Sequence, residues 1–407
     1  MLKTRIVTNT SYRNFTVGGR VVKFIVILGI LIMLFLPPIS GTKYGYFFFL
    51  GVFLVFYLPR YSVNNYFSLL IILIVIISMT KSLYNTSFLR ESVVSIIYIV
   101  APLSALFVGS EFGKFETKFV RFFVSFLFLI LAILCFFQIS NRSFGLLTAM
   151  IFTSGDKYTG MYLRNSEVRS IGTFGNPNYL GFFFFVGLTL LSGFYKKTRN
   201  IWYFCLWLLL ACAIITTGSR AAFIFTLVYY FIGPLISLMV NSFRGKSLLF
   251  VFILFFIVAI GTVVILYRYE LLSYISSLVN RPSDTSEVFS VRYEGWNNFD
   301  LDTNNYFMLL FGTTKPNLRV TLDNLYLSTL SRYGLIGSLI VFIVFSLALI
   351  RLGKATGRAK YTLDWLFLLY LSGLVADYWF NPFYGTLYLL LIGYSYRTPQ
   401  GVLIKKR

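Results

Sequence analysis

The chain has 407 residues, of which 57% are hydrophobic and 20% aromatic, while 12% carry charge. A soluble domain cannot hide that much apolar surface, and the short alternating strands of a membrane β-barrel are absent, so both classes are excluded. There is no histidine, which removes serine–histidine hydrolysis, histidine-ligated zinc and an imidazole base.

Apolar runs define the organisation. Membrane spans are predicted, in chain order, at 21–36, 44–58, 66–79, 92–109, 119–137, 178–194, 201–216, 221–240, 248–267, 325–350, 361–376 and 382–396. Runs such as 119–137 and 248–267 are long enough to cross about 30 Å of hydrocarbon, whereas 44–58 and 66–79 are short for it. Pro102 and Pro234 fall inside spans and are expected to kink them. Cys135, Cys205 and Cys212 all lie in apolar runs and are expected to be small core fillers, with no disulfide framework. No cleavable signal-peptide pattern is present, so the first span is expected to serve as the targeting signal. No internal repeat is visible, and the chain reads as a single transmembrane domain over 1–407.

The net charge of +22 would suggest nucleic acid in a soluble protein. Here it is read as cationic loops on one membrane side. With a cytoplasmic N-terminus, the inside segments hold Arg13 and Arg20, then Arg60, then Lys114 and Lys118, then Lys196 and Lys197. They continue with Arg244 and Lys246, with Arg351 to Lys360, and with Arg397 and the basic tail. That alternation is the one the positive-inside rule requires, and it places both termini in the cytoplasm. Of the 14 carboxylates, Glu111, Glu116 and Asp364 fall inside and the rest outside. Most lie in two long outer loops, 138–177 and 268–324, and long loops in compact proteins are usually functional. Within the second, 269–280 gathers Leu271, Leu272, Tyr274, Ile275, Leu278 and Val279 on one helical face, suited to lying on the outer membrane surface.

Four stretches could carry chemistry. In RSIGTFGNPN (169–178), Arg169, Asn176 and Asn178 either point into an outer cleft or form a turn and helix cap. In TTGSRAAF (216–223), Arg220 either faces an anion or snorkels to hold a helix end. The 268–324 loop carries Arg281, Arg292 and Arg319 beside Glu287, Glu294, Asp300 and Asp302. Arginine forks suit phosphate oxygens, though alternating charges in a loop can be mere solvation. Asp300-Leu301-Asp302 is a pattern that holds metals in many nucleotide-sugar transferases, but paired aspartates in polar loops are common by chance. In LDNLYLSTLSRYGLIG (322–337), Asp323 is either a base at the mouth of a span or its N-cap.

GTFGNPNYLG, TTGSRAAF, VRYEGWNNF and LDNLYLSTLSRYGLIG, in that order and all on the outer side, resemble the O-antigen ligase and polymerase superfamily. Its members are membrane glycosyltransferases acting on undecaprenyl-pyrophosphate-linked glycans. The motifs cover 165–350, and the span count extends the resemblance over the whole chain. It implies an all-α polytopic fold of about 12 transmembrane helices, GT-C-like, with the two outer loops forming a partly helical periplasmic cap. The family's Ser-Arg pair falls on Ser219-Arg220, its loop arginine and following aromatic on Arg292 and Trp296, and its Gly-Asn-Pro-Asn on 175–178. The ligases have His-Asn where this chain has Asp323-Asn324, and often an acid where it has Arg332. Both departures favour the polymerase branch.

The activity so implied is polymerisation of lipid-linked repeat units at the periplasmic face of a bacterial inner membrane. Inversion at the anomeric carbon is expected, without cofactor or metal. Arg220 and Arg292 would stabilise the leaving pyrophosphate, with Arg169 assisting, and Asp323 would take the hydroxyl proton, with Glu294 next in line. Ser219, Asn176, Asn178, Asn324, Arg332 and Trp296 would bind substrate. Expected partners are the donor and acceptor lipids, a chain-length regulator and a flippase. The rival readings are a ligase with another acceptor and a lipid-linked oligosaccharide flippase; flippases usually carry their charges along a central path within the spans.

Overall fold

A computed structural model describes residues 16–35, 76, 89–114, 118–153, 162–164, 167–232, 306–312, 325–357, 359–373 and 384–397. The described residues are mostly helical. In chain order they form α1 (Thr16–Phe35), α2 (Leu89–Lys114), α3 (Lys118–Ser140), α4 (Arg142–Phe152), α5 (Pro177–Thr198), α6 (Ile201–Thr216) and α7 (Arg220–Leu227). A π-helical turn at Val228–Ile232 continues α7. Then come α8 (Tyr306–Phe311), α9 (Leu325–Ala355), α10 (Ala359–Gly373) and α11 (Tyr384–Arg397). Between α4 and α5 lies a minimal antiparallel hairpin, β1 (Leu163–Arg164) and β2 (Glu167–Val168), with Leu163 opposite Val168.

Among the described residues, three helices are long and apolar enough to cross a membrane: α3, α5 and α9. The predicted spans at 92–109, 178–194, 201–216, 361–376 and 382–396 overlap α2, α5, α6, α10 and α11, with ends that differ by at most five residues. Those at 44–58 and 248–267, and 66–79 apart from the helical Ile76, lie outside the described residues, as do Pro234 and the 269–280 segment. Pro102 lies inside α2.

Local signals account for the helix ends. Asn176 caps α5 by accepting from the Asn178 amide at 2.9 Å, and Pro177 follows at the first helical position, where its missing N–H costs nothing. Lys196 and Lys197 close α5 against its dipole, and Arg199 takes the left-handed conformation at its C-cap. Asn200 then starts α6 by accepting from the Trp202 amide at 3.0 Å. The two helices thus form a tight antiparallel pair.

α5 is the centre of the core. Phe182, Phe184 and Phe185 are fully buried, and Phe182 meets Tyr388 of α11 edge-on at 5.2 Å. The second centre is the pairing of α2 with α11, where the backbones nearly touch. A methyl group at Gly109 would lie 1.9 Å from the Leu390 carbonyl oxygen, and one at Gly393 would lie 2.0 Å from that of Leu106.

The predicted 325–350 span lies within α9, which is broken at Gly334, whose φ of 66° and ψ of −170° belong to a region that only glycine occupies readily. Its missing side chain also admits α8: a Cβ there would sit 2.4 Å from the Gly312 amide nitrogen. The cysteines are not all core fillers. Cys135 is buried, but Cys205 and Cys212 are exposed on the outward face of α6 beside Ile201, Phe204 and Leu208. In lipid, an apolar residue is stable on either side of a helix, so hydropathy alone does not tell the two faces apart.

Candidate functional site

The RSIGTFGNPN and TTGSRAAF stretches, some forty residues apart, meet in one corner. Ser170 donates its amide to the Thr216 carbonyl at 3.0 Å, and the two hydroxyls share a hydrogen bond of 2.9 Å. Arg169 completes the joint. Its side chain is buried, with Nε donating to the Thr217 carbonyl at 3.1 Å and Nη2 to the Gly218 carbonyl at 3.2 Å. Nη2 also lies 3.5 Å from Asn178 Oδ1. These carbonyls end α6, where the helix dipole is negative, so a buried cation is well placed there.

The first turns of α5 and α7 are therefore neighbours. A Cβ on Gly181 would lie 3.0 Å from Ser219 Cβ and 2.9 Å from Ala222 Cβ. Ser219 is the N-cap of α7, its hydroxyl facing the Ala222 amide at 3.5 Å, and Arg220 is the first helical residue. Helix N-termini carry positive partial charge, so two of them side by side suit an anion. The Arg220 side chain itself lies outside the described residues.

A second set of contacts holds the turn at 171–175 from beneath. Gln138, fully buried near the end of α3, accepts from the amides of Ile171 and Gly172 at 3.0 and 2.9 Å. Its Nε2 donates to Thr148 Oγ1 at 2.7 Å and to the Gly172 carbonyl at 3.2 Å. Tyr162 closes the far side by donating to the Gln138 carbonyl at 2.5 Å. Burial raises the pKa of that phenol, opposed by the charge of Arg142, so it stays a donor at neutral pH.

From α11, Tyr384 donates to the Phe174 carbonyl and stacks on Tyr179 with ring centroids 4.2 Å apart. Tyr388 donates to the Tyr179 carbonyl at 2.7 Å. None of Gln138, Tyr162, Tyr384 and Tyr388 was singled out by the sequence reading. The visible signal for Gln138 was a lone amide closing an apolar run.

Of the predicted residues, Arg169, Asn176, Asn178 and Ser219 are thus gathered with the start of α7. Their hydrogen bonds are those of caps and braces, so Arg169 acts on the α6–α7 turn as a positioning residue. Arg332 sits half-buried on α9, two residues before the break at Gly334. Asp323, Asn324, Arg292, Glu294, Trp296 and the Asp300–Asp302 pair lie outside the described residues. Among the described residues no cluster of three or more acidic, cysteine or histidine side chains could hold a metal ion.

Compared with protein-family models, with curated proteins and with solved structures, the chain shows no significant match.

Proposed function

We propose that the protein is a membrane glycosyltransferase that joins lipid-linked oligosaccharide repeat units into a surface polysaccharide. The donor is a glycan on undecaprenyl pyrophosphate. The reading includes about twelve spans in a GT-C-like fold, both termini in the cytoplasm and the reaction at the periplasmic face of a bacterial inner membrane. The observation that carries it is the Arg169 joint, which seats the 175–178 and 219–220 motifs side by side at two helix N-termini. A leaving pyrophosphate needs such a field, because its negative charge develops as the glycosidic bond breaks.

In the proposed reaction a hydroxyl of the acceptor glycan attacks the anomeric carbon of the donor from the face opposite the pyrophosphate. The new carbon–oxygen bond forms as the old one breaks. Undecaprenyl pyrophosphate leaves with the bonding electrons, and the hydroxyl proton passes to Asp323. Arg220 and Arg292 neutralise the leaving group, while Arg169 holds the turn that carries Arg220. Asn324, Trp296 and Arg332 orient the glycans, and Glu294 is the alternative base.

The test is the purified protein in lipid nanodiscs supplied with undecaprenyl-pyrophosphate-linked repeat units. A ladder of products growing by one repeat unit supports the reading. Transfer of a single glycan onto a different acceptor would make it a ligase. In proteoliposomes, movement of the lipid-linked unit across the bilayer with no bond formed would make it a flippase.

A further inference from the structure

Helix α4 has its polarity reversed for a helix facing water. Its inward face is made of Gly145, Thr148 and Ala149, all buried. Its outward face starts at the exposed Ser143 and continues with Leu147, Met150 and Ile151, exposed to 55%, 58% and 44%. The three apolar residues lie at the spacing of one helical face, where a water-facing helix would carry polar side chains.

That face continues a surface already suited to lipid. α3 is one of the span-length helices, and Phe122, Phe126, Ile133 and Phe137 are exposed along it. Phe137 meets Phe144 of α4 edge-on, with centroids 6.4 Å apart. Only Asn141 separates the two helices, and it caps α4 by accepting from the Phe144 amide at 3.0 Å. Arg142 follows, exposed at the bend and off the apolar face, where a basic side chain can reach lipid phosphates. With 11 residues, α4 extends about 16 Å, too little to cross a bilayer.

We propose that α4 is an in-plane membrane helix. Leu147, Met150 and Ile151 are seated among the acyl chains of the leaflet where α3 ends, and Arg142 lies at headgroup level. The occupant of this face is bilayer lipid. The inward face in turn supports the candidate site, because Thr148 holds Gln138 and Gly145 and Ala149 pack against Tyr162. The 171–175 turn is thereby fixed at headgroup depth. This inference rests on α3 being a membrane span, and it stands or falls independently of glycosyl transfer.

The experiment places single nitroxide labels at positions 142, 147 and 150, through Arg142→Cys, Leu147→Cys and Met150→Cys. The background is Cys205→Ser with Cys212→Ser, Cys135 being buried. Collision rates with oxygen, which partitions into lipid, and with a water-soluble nickel chelate are measured in nanodiscs. Oxygen should dominate at 147 and 150, and the nickel chelate should gain at 142. Dominance of the nickel chelate at 147 and 150 would place the face in water. Shielding of both positions from both reagents would place protein over it. Either result overturns the proposal.

Discussion

The side-chain oxygen of Gln138 accepts hydrogen bonds from two successive backbone amides, of Ile171 and Gly172, while its nitrogen donates back to the Gly172 carbonyl. One buried amide thus satisfies three backbone groups of a turn whose own bond runs from the Phe174 amide to the Ile171 carbonyl. Gln138→Leu fills similar space but orphans both amides. Each orphaned buried group costs about 1–3 kcal/mol. The melting temperature in detergent should drop clearly, with Gln138→Glu falling between the two because a carboxylate still accepts. An unchanged Tm for Gln138→Leu would show that the turn is held by other contacts.

Arg169 and Arg220 should part company in the same assay. Arg169→Lys loses the fork that reaches the Thr217 and Gly218 carbonyls together, so both Tm and chain synthesis should fall. Arg220→Lys should leave Tm near the wild-type value and cut chain synthesis sharply, since a lysine makes no two-pronged phosphate contact. Equal losses of Tm in both variants would make Arg220 a brace as well.

Gly334→Ala is expected to be among the most damaging single substitutions in α9. The backbone conformation alone costs of order 1–3 kcal/mol for a residue with a side chain. The added methyl would also collide with the α8 terminus at Leu310 and Gly312. Protein yield in the membrane fraction should drop, whereas Gly337→Ala, at a helical position three residues on, should be milder.

Asp323→Asn separates a base from a cap. Asparagine caps a helix about as well as aspartate, so stability should hold. Loss of a general base should slow polymerisation about 10²–10⁴-fold. Wild-type rates in the variant would move the role to Glu294.

Metal independence is checked by EDTA. Arginines at the pyrophosphate should leave synthesis intact after chelation. Loss in EDTA with recovery on adding Mg²⁺ or Mn²⁺ would bring Asp300 and Asp302 into the chemistry.

The long helices were legible because an apolar run bounded by caps and cations has one reading in a membrane chain. α6 fills the predicted 201–216, and α5 runs one residue before and four after its predicted span. The capping alternative for RSIGTFGNPN was also visible, in Asn176-Pro177. The contacts between motifs were not. The link from Arg169 to Gly218 depends on how α5 packs against α6 and α7, which no local spacing encodes. Gln138 reads as the polar end of a span because the two amides it accepts from lie more than thirty residues later. Gly334 sat in a helical pattern, and only the approach of α8 explains why the chain turns there. α4 falls within the predicted outer loop 138–177, and its exposed face is as apolar as the neighbouring span, so periodicity does not mark it as a separate helix.

The near contact of α2 with α11 governs the order in which the protein can be built. α2 emerges from the ribosome long before α11, so its flat face at Gly109 must wait in the membrane without its mate. The same late helix supplies Tyr384 and Tyr388 to the Phe174 and Tyr179 carbonyls. The corner that holds the candidate site is therefore locked only when synthesis reaches α11. Until α11 is in place, the Phe174 and Tyr179 carbonyls lack these two donors, so the corner is among the last parts of the molecule to be completed.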